Sequence, residues 1–64
     1  MSLYDYRKSQ EIAAQDYPFY SLIMAAMRQA DTTNEVLLQR AWPLVWEELS
    51  LRYNAPGGEL AGDR

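Results

Sequence analysis

From Tyr17 to Ala30 the chain reads YPFYSLIMAAMRQA, and the order of its apolar residues sets the architecture. Phe19, Leu22, Ile23, Ala26, Met27 and Ala30 recur at i, i+3, i+4, i+7, i+8 and i+11, which draws one stripe along an α-helix. Tyr17, Tyr20 and Met24 draw a second stripe beside it. A helix apolar over so much of its circumference must be surrounded, by its own chain or by a partner. The pattern predicts an all-α protein in which this segment is central.

Working toward the N-terminus, Asp16-Tyr17-Pro18 is a stop and a start together, because proline is excluded from a helix interior but welcome in a first turn. Asp16 or Tyr17 is the expected N-cap of the central helix. Upstream, Ser2-Leu3-Tyr4-Asp5 has the form of a capping box, with Ser2 accepting from the third helical N–H and Asp5 answering the backbone of Ser2. A first helix from about Leu3 to Gln15 is predicted, with a thin apolar face of Leu3, Tyr6, Ile12 and Ala13. A shorter helix starting at Ser9 is the other reading of the same segment.

Toward the C-terminus, Asp31-Thr32-Thr33-Asn34 is a turn and cap cluster, and Thr32-x-x-Glu35 reads as a second capping box. The helix it opens meets Pro43, which denies a hydrogen bond to the preceding turn and pushes Trp42 out of helical geometry. A break is expected there rather than a kink, giving a short helix Asn34–Arg40 and another from Pro43 to about Tyr53. Trp42, Val45, Trp46, Leu49 and Tyr53 form the stripe of the last helix, with Asn54 as C-cap and Ala55-Pro56-Gly57-Gly58 as the stop. The segment 59–64 carries one large apolar residue, Leu60, and is expected to be flexible unless something binds it. The expected organisation is therefore one small helical domain over residues 1–58, three to four short helices forming a bundle or helical hairpin, followed by that tail. Its predicted core is Phe19, Leu22, Ile23, Ala26, Met27, Leu37, Val45, Trp46, Leu49 and Tyr53.

Composition narrows the function classes. Sixty-four residues make one domain at most, and a chain of this size buries only about 60% of its unfolded surface, so stability is marginal. Neither Cys nor His is present, which removes disulfides, thiolate chemistry, neutral-pH proton shuttling and the usual zinc ligands. The net charge is −3, and of the six bases only Arg7 and Lys8 are adjacent, which is poor equipment for displacing counterions from nucleic acid. A helix-turn-helix over Met27–Ala41 would offer a major groove Asn34, Gln39 and Arg40 amid leucines, the weakest of the readings. The longest apolar run, Leu22–Met27, is six residues, where a membrane span needs about 20. The N-terminal MSLYDYRKSQ lacks a signal-peptide core, so a cytoplasmic location is expected.

Two segments, Asp16–Thr32 (DYPFYSLIMAAMRQADT) and Trp42–Gly58 (WPLVWEELSLRYNAPGG), resemble short uncharacterised proteins encoded by phages and prophages of Gram-positive bacteria, particularly actinobacteria. The resemblance spans roughly residues 11–58. It implies a phage context, hence a host cytoplasm or a virion, and it implies no chemistry. In the family pattern position 42 is usually Phe and position 44 usually polar; Trp42 and Leu44 depart from it and make the surface near Pro43 more apolar.

No catalytic, cofactor-binding or metal-ligating residue is expected. Asp16 reads as a cap, Glu47 and Glu48 diverge by about 100° on a helix, and Ser9, Ser21 and Ser50 have no base to activate them. What remains is apolar surface. Leu44 and Leu51, seven residues apart, share a helix face away from Trp46 and Leu49, and Leu38 extends it. With Tyr17, Tyr20, Met24 and Trp42 they form the candidate protein-binding surface, because clustered exposed apolar residues mark interaction sites. The expected function is non-catalytic binding and modulation or inhibition of a host protein by a phage-type accessory protein. The alternative is a self-associating structural or virion subunit, and a DNA-binding regulator comes third. The expected partner is a host protein or a second copy of the chain, with neither nucleic acid nor membrane.

Overall fold

The computed structural model describes residues Met1–Asp63 and is all-helical over them: α1 (Leu3–Ala14), α2 (Phe19–Gln29), α3 (Thr32–Ala41), α4 (Pro43–Tyr53) and a 3₁₀ turn at Pro56–Gly58. Helices α2, α3 and α4 pack pairwise on one another, and the 3₁₀ turn folds back onto α4. Helix α1 stands apart. Its backbone packs against none of the other three, and Ile12 in its last turn is the residue that reaches toward α2.

The helix boundaries follow from local chemistry. Ser2 caps α1, its hydroxyl oxygen accepting from the Asp5 N–H at 3.2 Å. Asp5 does not reach back to the Ser2 backbone; its carboxylate accepts from the Ser2 hydroxyl at 3.0 Å instead. The helix runs unbroken through Ser9, whose hydroxyl donates to the Tyr6 carbonyl, so no shorter helix starts there. At its end Asp16 adopts a left-handed conformation (φ 54°) and its N–H donates to the Ala13 carbonyl.

That geometry corrects the expected cap of α2. Asp16 is used up in closing α1, and Tyr17 precedes a proline and is disfavoured as helix. Pro18 itself, extended at ψ 143°, becomes the N-cap, and its carbonyl accepts the first helical bond from the Leu22 N–H. The cap of α3 also moves by one residue. Asp31, not Thr32, accepts from the Asn34 N–H at 2.8 Å, in keeping with the stronger capping preference of aspartate. Glu35 is thereby displaced from the reciprocal position and accepts from the Gln39 amide.

The break at Pro43 is present. Trp42 (φ −132°, ψ 67°) ends α3 and starts α4, its N–H donating to the Leu38 carbonyl and its carbonyl accepting from Trp46. Pro43 has no N–H, so the first turn of α4 has one fewer donor to satisfy in the absence of a side-chain cap. The Trp42 ring meets Phe19 edge-on, with centroids 6.1 Å apart, which ties the corner to the first turn of α2.

The core is small. Met27 on α2 and Leu49 on α4 are buried, and Leu22, Ile23, Val45 and Trp46 are half-buried around them. Four residues of the expected core are exposed instead: Phe19, Ala26, Leu37 and Tyr53. Tyr53 ends α4 and is covered on one ring face by the Arg28 guanidinium, 5.8 Å from the centroid. Phe19 begins α2 and is touched edge-on by Trp42. Ala26 and Leu37 both line an open groove between α2 and α3.

The described surface totals 5,630 Å², where a compact monomer of 7.4 kDa exposes about 4,200 Å². The Cα radius of gyration is 13.6 Å against about 11 Å for a compact chain of this length. Helix α1, packed on none of the other helices, is in keeping with both departures.

Candidate functional site

Large apolar residues are exposed along the whole described chain, and three surfaces carry the residues singled out from the sequence. The first is the outer face of α4. Leu44 (77% exposed) and Leu51 (53%) stand two turns apart, about 10 Å along the axis, on the side opposite the buried Leu49. Glu47 and Glu48 are the exposed charges between them in sequence, so the pair forms an apolar strip with acidic flanks.

The second surface is the α2–α3 groove, lined by Ala26, Gln29, Ala30, Asn34, Leu37, Leu38, Ala41 and Trp42. Its volume is about 580 Å³, within the range of small-molecule clefts at roughly 300–1,000 Å³. Such clefts orient ligands with convergent polar groups, and here Gln29 and Asn34 are the polar lining. No lining residue is charged or nucleophilic.

The third surface is a recess at the α1–α2 junction, formed by Ile12, Tyr17, Ser21, Leu22 and Ala25. Next to it Tyr20 and Phe19 meet edge-on at 5.3 Å.

The seven residues of the candidate surface are thus distributed rather than brought together. Leu44 and Leu51 lie on the outer face of α4, Leu38 and Trp42 in the groove, and Tyr17 in the junction recess, with Tyr20 beside it. Leu38, Met24 and Trp42 are half-buried. Leu38 belongs to α3 and does not continue the α4 strip, because the break at Trp42 gives the two helices different axes. Sequence reasoning missed Ala26 and Leu37 as surface residues, since an apolar stripe looks the same whether or not something covers it. It placed Leu3 and Tyr6 on the apolar face of the first helix but not on the candidate surface, and both are 62% exposed. The signal available was the lack of any second face in the chain assigned to receive the thin stripe of α1.

Arg52 ties the C-terminal segment to α4. Arg52 donates two hydrogen bonds to the Asp63 carboxylate, at 2.6 and 2.7 Å, and a third to the Gly58 carbonyl at 2.9 Å. Asp63 also accepts from the Leu60 N–H at 3.0 Å. These bonds from Arg52, and next the one from Leu60, hold the Asp63 carboxyl well below its ordinary range. Gly57 and Gly58, with φ of 63° and 70°, provide the left-handed turn that brings the chain back to Arg52. The segment expected to be flexible unless something holds it is held here through Asp63; Arg64, its last residue, lies outside the described residues. Among the described residues no three carboxylates converge as a metal site, and no helix is long and apolar enough to cross a membrane.

No family model matches the chain, and no curated protein or solved structure matches it significantly.

Proposed function

We propose that this chain is a non-catalytic, phage-type accessory protein that binds a host protein and modulates or inhibits it, acting in the host cytoplasm. The observation that carries the reading is the Leu44–Leu51 strip. Two large apolar side chains stand exposed on one face of a helix whose opposite face is already committed to the core. Burying such a strip against a complementary groove would supply affinity, and Glu47 and Glu48 at its edges would set orientation. The absence of histidine and cysteine from the sequence favours binding over catalysis.

The test is capture from an actinobacterial lysate, followed by affinity measurement with the purified partner. Leu44→Asp/Leu51→Asp is expected to weaken binding by roughly a hundredfold or more while leaving the helical spectrum intact. A partner that binds the double variant as tightly as the parent would remove the reading.

A further inference from the structure

We propose that the chain is a reciprocally exchanged homodimer in which α1 of each copy lies in the α2–α3 groove of the other. This goes beyond the host-protein reading and does not rest on it, since it uses neither Leu44 nor Leu51.

The first argument is the state of α1. It has twelve residues, and a helix of that length is marginal in water without tertiary packing. Its local support is the Ser2 cap, a Lys8–Glu11 pair at 3.3 Å and a Lys8–Tyr4 cation–π contact at 5.6 Å. The exposed Lys8–Glu11 pair contributes about 0.2–0.5 kcal/mol, which does not replace a packed face. Every residue of α1 is exposed.

The second argument is that the same chain carries an unfilled receptor. Ala26 and Leu37 belong to apolar stripes that read as core, yet they line an open groove whose other members include Ala30 and Ala41. Small residues along a groove allow the close approach of another helix. On α1, Leu3, Tyr6, Gln10 and Ala13 stand at i, i+3, i+7 and i+10 and so share one face. That stripe is about 15 Å long, and the groove along α3 from Asn34 to Trp42 is about 12 Å. No charged residue lines the groove or stands at the four stripe positions, and Arg7, which borders the stripe beside Leu3, can keep its guanidinium in solvent at the rim.

The third argument is area. The chain exposes about 1,400 Å² more than its mass requires, whereas a standard interface takes about 800 Å² from each partner. Reciprocal exchange uses two identical α1–groove contacts related by a two-fold axis, which closes the assembly at two copies.

The experiment uses light scattering on the full chain across a wide concentration range. The parent is expected at twice 7.4 kDa. Two variants target opposite sides: Leu3→Glu/Tyr6→Glu on α1, and Leu37→Glu in the groove. All three positions are more than half exposed within the chain, so α2–α4 should stay folded, as circular dichroism and tryptophan fluorescence can verify. Each variant alone should run as a monomer, with dimer affinity lowered by roughly a hundredfold or more. An equimolar mixture of the two should recover a heterodimer, because one chain retains a sound α1 and the other a sound groove.

A parent that is monomeric throughout overturns the proposal, whether α1 closes onto its own groove or a foreign helix fills it. A parent dimer that survives either variant overturns it as well. So does a mixture that stays monomeric, since that would place α1 against α1 and groove against groove.

Discussion

Arg52 is the most heavily used polar side chain in the described structure, with three donated hydrogen bonds and the Glu48 carboxylate 3.8 Å away. Its partnership with Asp63 sets a pH dependence whose sign is defined. Asp63 is depressed below its ordinary value of 3.8 in the folded chain, so its contribution is fully present above that value. The contribution is lost as pH falls from there toward the lower folded value. The expected outcome is a Leu60 amide whose NMR shift is constant from neutral pH to well below 3.8 and moves only in stronger acid. Asp63→Ala, which removes the acceptor, should release the amide at every pH without moving the Met27–Leu49 core. A Leu60 shift that titrates at the ordinary carboxylate value would show that the clasp is open in solution.

At the scale of elements, the capping residues and the Trp42–Pro43 corner do most to fix where helices begin and end. Asp31 satisfies an otherwise unpaired N–H at the start of α3, and its carboxylate complements the positive helix end. Asp31→Ala is expected to cost about 1 kcal/mol, read as a lower urea midpoint with an unchanged slope. Thr32→Ala should cost less, because Thr32 lies inside the helix and does not cap it. Equal losses from the two changes would return the cap to Thr32. The corner at Trp42 has no side-chain cap; both Trp42 backbone groups are bonded and Pro43 brings no donor.

For the whole molecule, the decisive quantity is how little is buried. Met27 and Leu49 are the side chains that α2, α3 and α4 enclose, and a domain of this size rarely holds more than about 3–5 kcal/mol of stability. Met27→Ala should remove about 2–4 kcal/mol and leave the chain without a cooperative thermal transition at low concentration. Raising the concentration should restore part of the transition if the exchanged dimer forms, because association stabilises the folded state by mass action. A Met27→Ala protein that melts like the parent would mean that the stability resides elsewhere.

The sequence carried an all-α chain of three to four helices, the break at Pro43, a cap at Ser2 and the placement of Leu44 and Leu51 away from the core stripe. Each of these is written within a few residues of itself, in the 3.6-residue period, in a cap three residues from its N–H, or in the missing donor of a proline. The tertiary structure decided which apolar faces are covered. Ala26 continues the α2 stripe that buries Met27, and Leu37 belongs to the apolar pattern of α3, but burial depends on where helix axes cross, and a groove is left between α2 and α3 there. The same holds for the isolation of α1 and for Arg52 reaching Asp63 eleven residues away. Periodicity shows that a face is apolar, whereas only the arrangement of the other elements in space shows what lies against it.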